Sequence, residues 1–214
     1  FLCRMELIEL RRQDHPLPSR IVDASERFVR HLLGDGRFDG RVDHLLSWRS
    51  EQLMPGELLP DTVPFPEIPP LGSRHESAIV CMRSHQGSGA VCIAHHRLHM
   101  SGHPRVLILD AHDLPHDTSE CRDAVYASLR EAALACTPMI VDARRITADR
   151  VAEVITWVDQ GFIPVIVITG PSMSVDLPPD RIVDVPVAAP AVRAAWLDYL
   201  NDQIDSPRTV DTLQ

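Results

Sequence analysis

The sequence predicts an α/β fold built on a five-stranded parallel sheet with helices on both faces, and three observations carry that expectation. The chain has 214 residues, enough to bury a substantial core. Hydrophobic residues make up 44% of it but aromatics only 5%, so the core must rest on Val, Ile, Leu and Ala, as the two-faced burial of parallel strands requires. After Gly72, short apolar runs alternate with helix-period runs, the pattern of successive βα units.

Residues 1–53 read as a small helical segment. Ile21, Val22, Phe28, Val29, Leu32 and Leu33 recur at helical spacing up to Gly34, and Val42, Leu45, Leu46 and Trp48 follow from Asp39. Residues 54–72 hold six prolines among Leu, Val, Phe and Ile. Proline rules out a helix or central strand there, and the interleaved apolar residues predict an extended connector lying on a surface. The α/β domain is expected over residues 73–200. Its strands are placed at Ala78–Met82, Arg105–Leu109, Pro138–Val141, Val165–Thr169 and Ile182–Val185. Helices are expected at Ala90–Ser101, ending at Gly102, and at Thr118–Cys136, begun by Asp117 with Glu120 three residues on. A third runs over Ala148–Gln160, where Val151, Val154, Ile155 and Val158 form one stripe to cover a sheet. A last short helix from Pro190 leads to a polar tail at 201–214.

Charge and composition exclude several classes of function. The 21 basic residues against 30 acidic ones give a formal charge of -9, without the dense basic run that nucleic acid or an anionic membrane surface would demand. All 21 are arginine. The absence of lysine excludes Schiff-base chemistry, a lysine general base and a lysine ammonium on a nucleotide's phosphates. Five scattered cysteines without a CxxC predict reduced thiols and a cytoplasmic protein. No stretch approaches the roughly 20 apolar residues of a membrane span. The chain starts at Phe1 rather than Met, from which a piece of a longer protein is expected.

The stretch most able to carry chemistry is Arg83-Ser84-His85-Gln86-Gly87-Ser88-Gly89-Ala90-Val91. A strand, a glycine-rich loop and a helix N-terminus aim backbone N–H groups and a helix dipole at one spot, which suits phosphate. Aligned with the P-loop pattern GxxxxGK[ST], Gly89 is the last glycine and Ser84 stands at the first. Ala90 then replaces the lysine, and Val91 the hydroxyl that would hold Mg²⁺. A dinucleotide fingerprint is the second reading, with Gly87, Gly89 and Asp110. Against it, four residues separate the strand from Gly87, and Cys92 stands at the third glycine. A nucleophile elbow at Ser88 is opposed by Gln86 and by the lack of a histidine after His116. A plain structural turn is the remaining reading. The strand at 138–141 ends in Asp142, where a P-loop ATPase keeps a carboxylate for Mg²⁺, but Ala143 follows in place of a catalytic Glu. Thr169 ends the next strand at a sensor-like position.

With these residues in view, the chain resembles the first, degenerate AAA-type module of bacterial two-module, winged-helix-containing AAA family ATPases. The resemblance runs from the phrase Val29-Arg30-His31-Leu32-Leu33-Gly34-Asp35, with Phe38-Asp39, through the loop at 84–91 to Asp142 and Thr169, then Pro190, Arg193 and Trp196. It implies a P-loop-like sheet with the loop strand between the last two strands, and no complete C-terminal lid, since only Ala191–Leu200 follows. It also implies a non-catalytic scaffold, regulatory or oligomerisation module whose partners are other modules or subunits of an ATPase ring. The parent protein would hydrolyse ATP elsewhere. Residual nucleotide contacts would fall on Ser84, Gly87, Ser88, Gly89, Asp142 and Thr169. No catalytic residue, metal ligand or resident cofactor is expected, and ATP or ADP with Mg²⁺ binds only if the eroded loop still holds phosphate. The alternative is a nucleotide sensor or an NAD-dependent oxidoreductase using Gly87, Gly89 and Asp110. His85, His95, His96, His99 and His103 cluster near Cys92 at spacings a metal tolerates, yet a solvated helix face accounts for them equally. Arg144 and Arg145 follow Asp142, where a place at a subunit boundary is one reading; the favoured one is ordinary surface residues pairing with Asp149 or Glu153.

Overall fold

The computed structural model describes residues 7–11, 21–49, 65–68, 79–159 and 163–186. Over these the protein is α/β, with a mostly parallel six-stranded sheet. The five expected strands form at Ile79–Arg83 (β4), Val106–Asp110 (β5), Met139–Asp142 (β6), Val165–Thr169 (β7) and Ile182–Asp184 (β8). Their parallel order is β5-β6-β7-β4-β8, so the strand that feeds the glycine-rich loop lies between the last two.

The sixth strand departs from expectation. Leu46–Arg49 (β3) pairs antiparallel with β5, Leu46 opposite Leu109 and Arg49 opposite Val106, and forms the sheet edge. Residues 1–53 are therefore not simply helical. Ile8–Arg11 (β1) and Ile21–Ala24 (β2) pair as an antiparallel ribbon, a seven-residue helix follows at Glu26–Leu32 (α1), and a 3₁₀ turn at Asp43–Leu45 delivers the chain into β3. The apolar spacing at 42–48 has a physical reason of this kind. Val42, Leu45 and Leu46 are all buried, but the last of them opens a strand. Within the proline-rich stretch only 65–68 is described. It carries no regular secondary structure, with Ile68 buried and Phe65 beneath the Arg97 guanidinium. The rest of 54–72, the helix expected from Pro190 and the tail at 201–214 lie outside the described residues.

Alternation along the strands divides the core. Odd-numbered Ile79, Leu107, Leu109, Met139, Val141, Val165 and Val167 face Thr118–Leu134 (α3) and Ala148–Val158 (α4). Even-numbered Val80, Met82, Val106, Ile140, Ile166 and Ile168 face Ala90–Met100 (α2). Of these three helices α3 alone begins with a side-chain cap. The Asp117 carboxylate accepts from the N–H groups of Ser119 and Glu120, closing the first turn of α3. In α4 the stripe Val151, Val154, Ile155 and Val158 is buried against the sheet.

A charged cluster fastens the N-terminal segment to α3. Arg27 on α1 reaches Glu131 through Nε at 2.8 Å and a terminal nitrogen at 2.6 Å. Arg130, 1% exposed, pairs with Asp39, which Arg41 also holds at 2.8 Å. Burial by itself would raise the Asp39 pKa, but hydrogen bonds from Arg41 and the charges of Arg41 and Arg130 outweigh it and bring the carboxyl to about 2. Residues about a hundred positions apart are thus locked together before any site is built.

Candidate functional site

Parallel strands put their carboxyl ends on one edge, where ligands of open α/β sheets bind. Here Arg83, Asp110, Asp142, Thr169 and Asp184 end their strands on that edge. A cleft of about 450 Å³ opens there, lined by Ser84, Gln86, Asp142, Arg144, Arg145, Gly170 and Pro171.

The loop after β4 has the backbone its glycines allow. The Ser84 N–H donates to the Thr169 carbonyl at 3.0 Å, prolonging the pairing of β4 with β7. His85 to Ser88 then form a turn closed by the Ser88 N–H on the His85 carbonyl at 3.2 Å, with Gly87 at φ +78° in its third position. Gly89 starts α2 in the left-handed region, at φ 71° and ψ 16°, and supplies no side-chain cap. The helix N-terminus is left without a side-chain acceptor, and no acidic residue occupies its first turn. Ser84, 1% exposed, lines the cleft, but its hydroxyl is buried without a hydrogen-bond partner, and the Ser88 hydroxyl is also buried and unpartnered.

Asp142 closes the opposite wall. Arg144 grips it with both prongs, Nε to Oδ1 at 2.9 Å and a terminal nitrogen to Oδ2 at 2.6 Å. Burial alone would raise the Asp142 pKa, but the Arg144 hydrogen bonds and charge prevail and lower it, so the carboxylate is ionised at neutral pH. The same bonds raise the Arg144 pKa. Arg145 pairs with Asp110, which also accepts the His112 N–H at 3.0 Å. The expectation that these arginines pair with Asp149 or Glu153 is corrected: Arg150 takes Glu153, while the Arg144 and Arg145 side chains turn back over the strand ends.

Of the residues singled out in the sequence, Ser84 and Asp142 line the cleft together. Gly87, Ser88 and Gly89 shape the turn into α2. Thr169 is fully buried, and its hydroxyl lies 3.6 Å from the Cys81 sulfur, with the Gly170 carbonyl also in reach. It is not among the residues lining the cleft. Ala90 and Ala143 are fully buried, and Val91 packs among the apolar residues under α2. Sequence reasoning missed Arg144, Arg145 and Gly170 as cleft walls. The signal was the spacing Asp142-x-Arg144 after a strand, which lets a guanidinium fold back on the carboxylate two residues earlier.

These residues do not fit a Mg²⁺-nucleotide. The position for the ammonium holds the buried methyl of Ala90, Val91 has no hydroxyl for the metal, and the two oxygens of Asp142 already accept from Arg144. Among the described residues no group of three or more His, Cys, Asp or Glu side chains is gathered as a metal site. His95 is buried on α2, and that burial lowers its pKa against the raising effect of a backbone contact at Pro104. Nor is any described helix long and apolar enough to cross a membrane. Compared with family models, curated proteins and solved structures, the chain matches none.

Proposed function

We propose that this chain is a non-catalytic, AAA-like module of a larger cytoplasmic ATPase, retained as a scaffold or regulatory element that packs against other modules or subunits of a ring. The observation that carries the reading is the bidentate Arg144–Asp142 pair, which commits to an internal cation the carboxylate that a P-loop ATPase gives to Mg²⁺. The strand order supports it, because the loop strand lies between the last two strands as the resemblance implies. Ala143 supports it as well. It is buried, its N–H is held by the Ile168 carbonyl at 2.8 Å, and it has no group to activate water.

The dinucleotide alternative is disfavoured on two grounds. A dinucleotide-binding sheet runs 3-2-1-4-5-6, with the loop strand followed outward by the second and third. In this sheet the strand after the loop, β5, is separated from β4 by two others. Asp110, which would take the ribose, is occupied by Arg145 and the His112 N–H.

Thermal unfolding with ATP in the presence and absence of Mg²⁺ tests the proposal. A site using a metal-bound nucleotide at a hundred times its Kd would gain about 2.7 kcal/mol only when Mg²⁺ is present. No Mg²⁺-dependent gain is expected, and one that disappears in Asp142→Asn would refute the reading.

A further inference from the structure

A buried imidazole lies away from the strand-end cleft, on α2. His95 is 2% exposed and hydrogen-bonds the Pro104 backbone, and proline offers only a carbonyl, so the ring nitrogen turned toward it carries the proton. Nε2 is the other nitrogen, buried and without a partner among the described residues. In the neutral ring it holds only a lone pair. A proton there would create a second N–H with no acceptor and a buried charge.

The surroundings make that charge costly. The edge strand β3 sends Arg49 across to α2, where a terminal nitrogen lies 3.0 Å from the Cys92 sulfur, one helical turn before His95. Burial foremost, and then the charges of Arg49, His99 and His96, lower the His95 pKa from its ordinary 6.5, against the raising effect of the Pro104 hydrogen bond. No carboxylate is among the groups that act on the ring. The core layer under α2 takes Ile140, Ile166 and Ile168 from β6 and β7. In the loop after α2 burial also lowers the His103 pKa, and the Arg105 guanidinium sits over the Trp48 ring at 4.4 Å. Glu67, beside the buried Ile68, is exposed.

We propose that His95 is an acid-sensitive latch between α2 and the edge strand: proton uptake on its ring is relieved by β3 peeling from β5, which carries Arg49 away and admits water to Nε2. β3 yields because it is four residues long, pairs with β5 alone and buries only Leu46. Helix α2 is anchored more firmly, by Ile93, Ala94 and Leu98 in the core. The open form takes up its proton near 6.5 and the closed form at a lower pH. The closed form is therefore favoured above pH 6.5 and loses stability as the pH falls below it.

Amide hydrogen exchange of the 214-residue chain, corrected for its intrinsic pH dependence and compared at about pH 7.5 and about pH 5.5, tests the latch in wild type, His95→Gln and Arg49→Met. In wild type, protection over Leu46–Arg49 is expected to fall several-fold at the lower pH, with about tenfold the ceiling one pH unit below 6.5, while β6 and β7 keep theirs. The fall is expected to vanish in His95→Gln. In Arg49→Met it should shrink, and the NMR titration midpoint of the His95 ring should move up toward 6.5. Unchanged protection of β3 in wild type, equal losses in β6 and β7, or a fall in His95→Gln as large as in wild type would each overturn the latch. Should His95→Gln fail to fold, Arg49→Met decides, and a ring midpoint equal to that of wild type would refute the coupling.

Discussion

Replacing Arg27 by Met keeps much of the aliphatic stem but removes the guanidinium that holds Glu131 in two hydrogen bonds of 2.8 and 2.6 Å. The Glu131 side chain is 1% exposed and Arg27 12%, so water cannot readily take the lost partner's place. Breaking a buried pair from one side costs about 3–5 kcal/mol, because a charge is left without compensation. Glu131 retains Arg130 Nε at 3.8 Å, which sets the expected loss near the lower end, about 3 kcal/mol. In a chain of this size that corresponds to a fall in Tm of roughly 6–12 °C. The double variant Arg27→Met/Glu131→Leu removes both charges and is expected to recover most of the loss, giving a coupling energy of about 2 kcal/mol. Urea unfolding followed by far-ultraviolet circular dichroism on wild type, both single variants and the double variant measures all four corners. A single-variant cost under about 1 kcal/mol, or a coupling near zero, would show that the pair behaves as an exposed one and that the cluster does not fasten α1 to α3.

Three further outcomes are expected. Asp39, with its carboxyl at about 2 against an ordinary 3.8, contributes stability that is fully present above about pH 4 and is lost as the pH falls through 2. The unscreened value is about 2 kcal/mol, and solvent contact reduces it to about 1. Asp39→Asn should flatten that part of the acid-unfolding profile, and an unchanged profile would contradict the assignment. Gly87→Ala has room for its methyl, since nothing lies within 4 Å of the added carbon, so its cost comes only from φ +78°. A loss of roughly 1 kcal/mol in urea unfolding is expected there, and none at all would place the turn in another conformation. Asp142→Asn should destabilise the fold by roughly 2 kcal/mol at neutral pH, because it leaves the 19%-exposed Arg144 without its carboxylate. A variant as stable as wild type would mean that the pair is not formed.

The sheet was legible because parallel strands advertise themselves. Ile79–Met82, Val106–Leu109, Met139–Val141 and Val165–Ile168 are continuous apolar runs, buried throughout except for the half-buried Ile108, and glycine or an N-cap punctuates the helices between them. The N-terminal strands were not legible for the converse reason. Leu46–Arg49 lies at an edge and buries only its first side chain, so its pattern carries no period-two signal, and the 3₁₀ turn before it places apolar residues at helical intervals. Ile8–Arg11 and Ile21–Ala24 are four residues each, and their pairing partner is another short strand rather than a core.

Long-range charge pairing was hidden in the same way. Nothing in the helix Thr118–Leu134 marks Arg130 and Glu131 as buried, since their partners Asp39 and Arg27 lie 91 and 104 residues away. The site was half legible. The loop at 84–89 and Asp142 could be named from motif spacing, because turn chemistry and strand ends are local. That Arg145 would reach Asp110, and that Thr169 would turn its hydroxyl toward Cys81, depends on register across the sheet, which spacing does not contain.

Phosphate release from ATP with Mg²⁺, by wild type and Asp142→Asn side by side, tests the central claim most directly. The account predicts that both proteins match the buffer rate, because the cleft carboxylate belongs to Arg144 and the described cleft lining holds no second carboxylate or histidine to activate water. Turnover by wild type that is abolished in Asp142→Asn would contradict it, and would make Asp142 a working metal ligand.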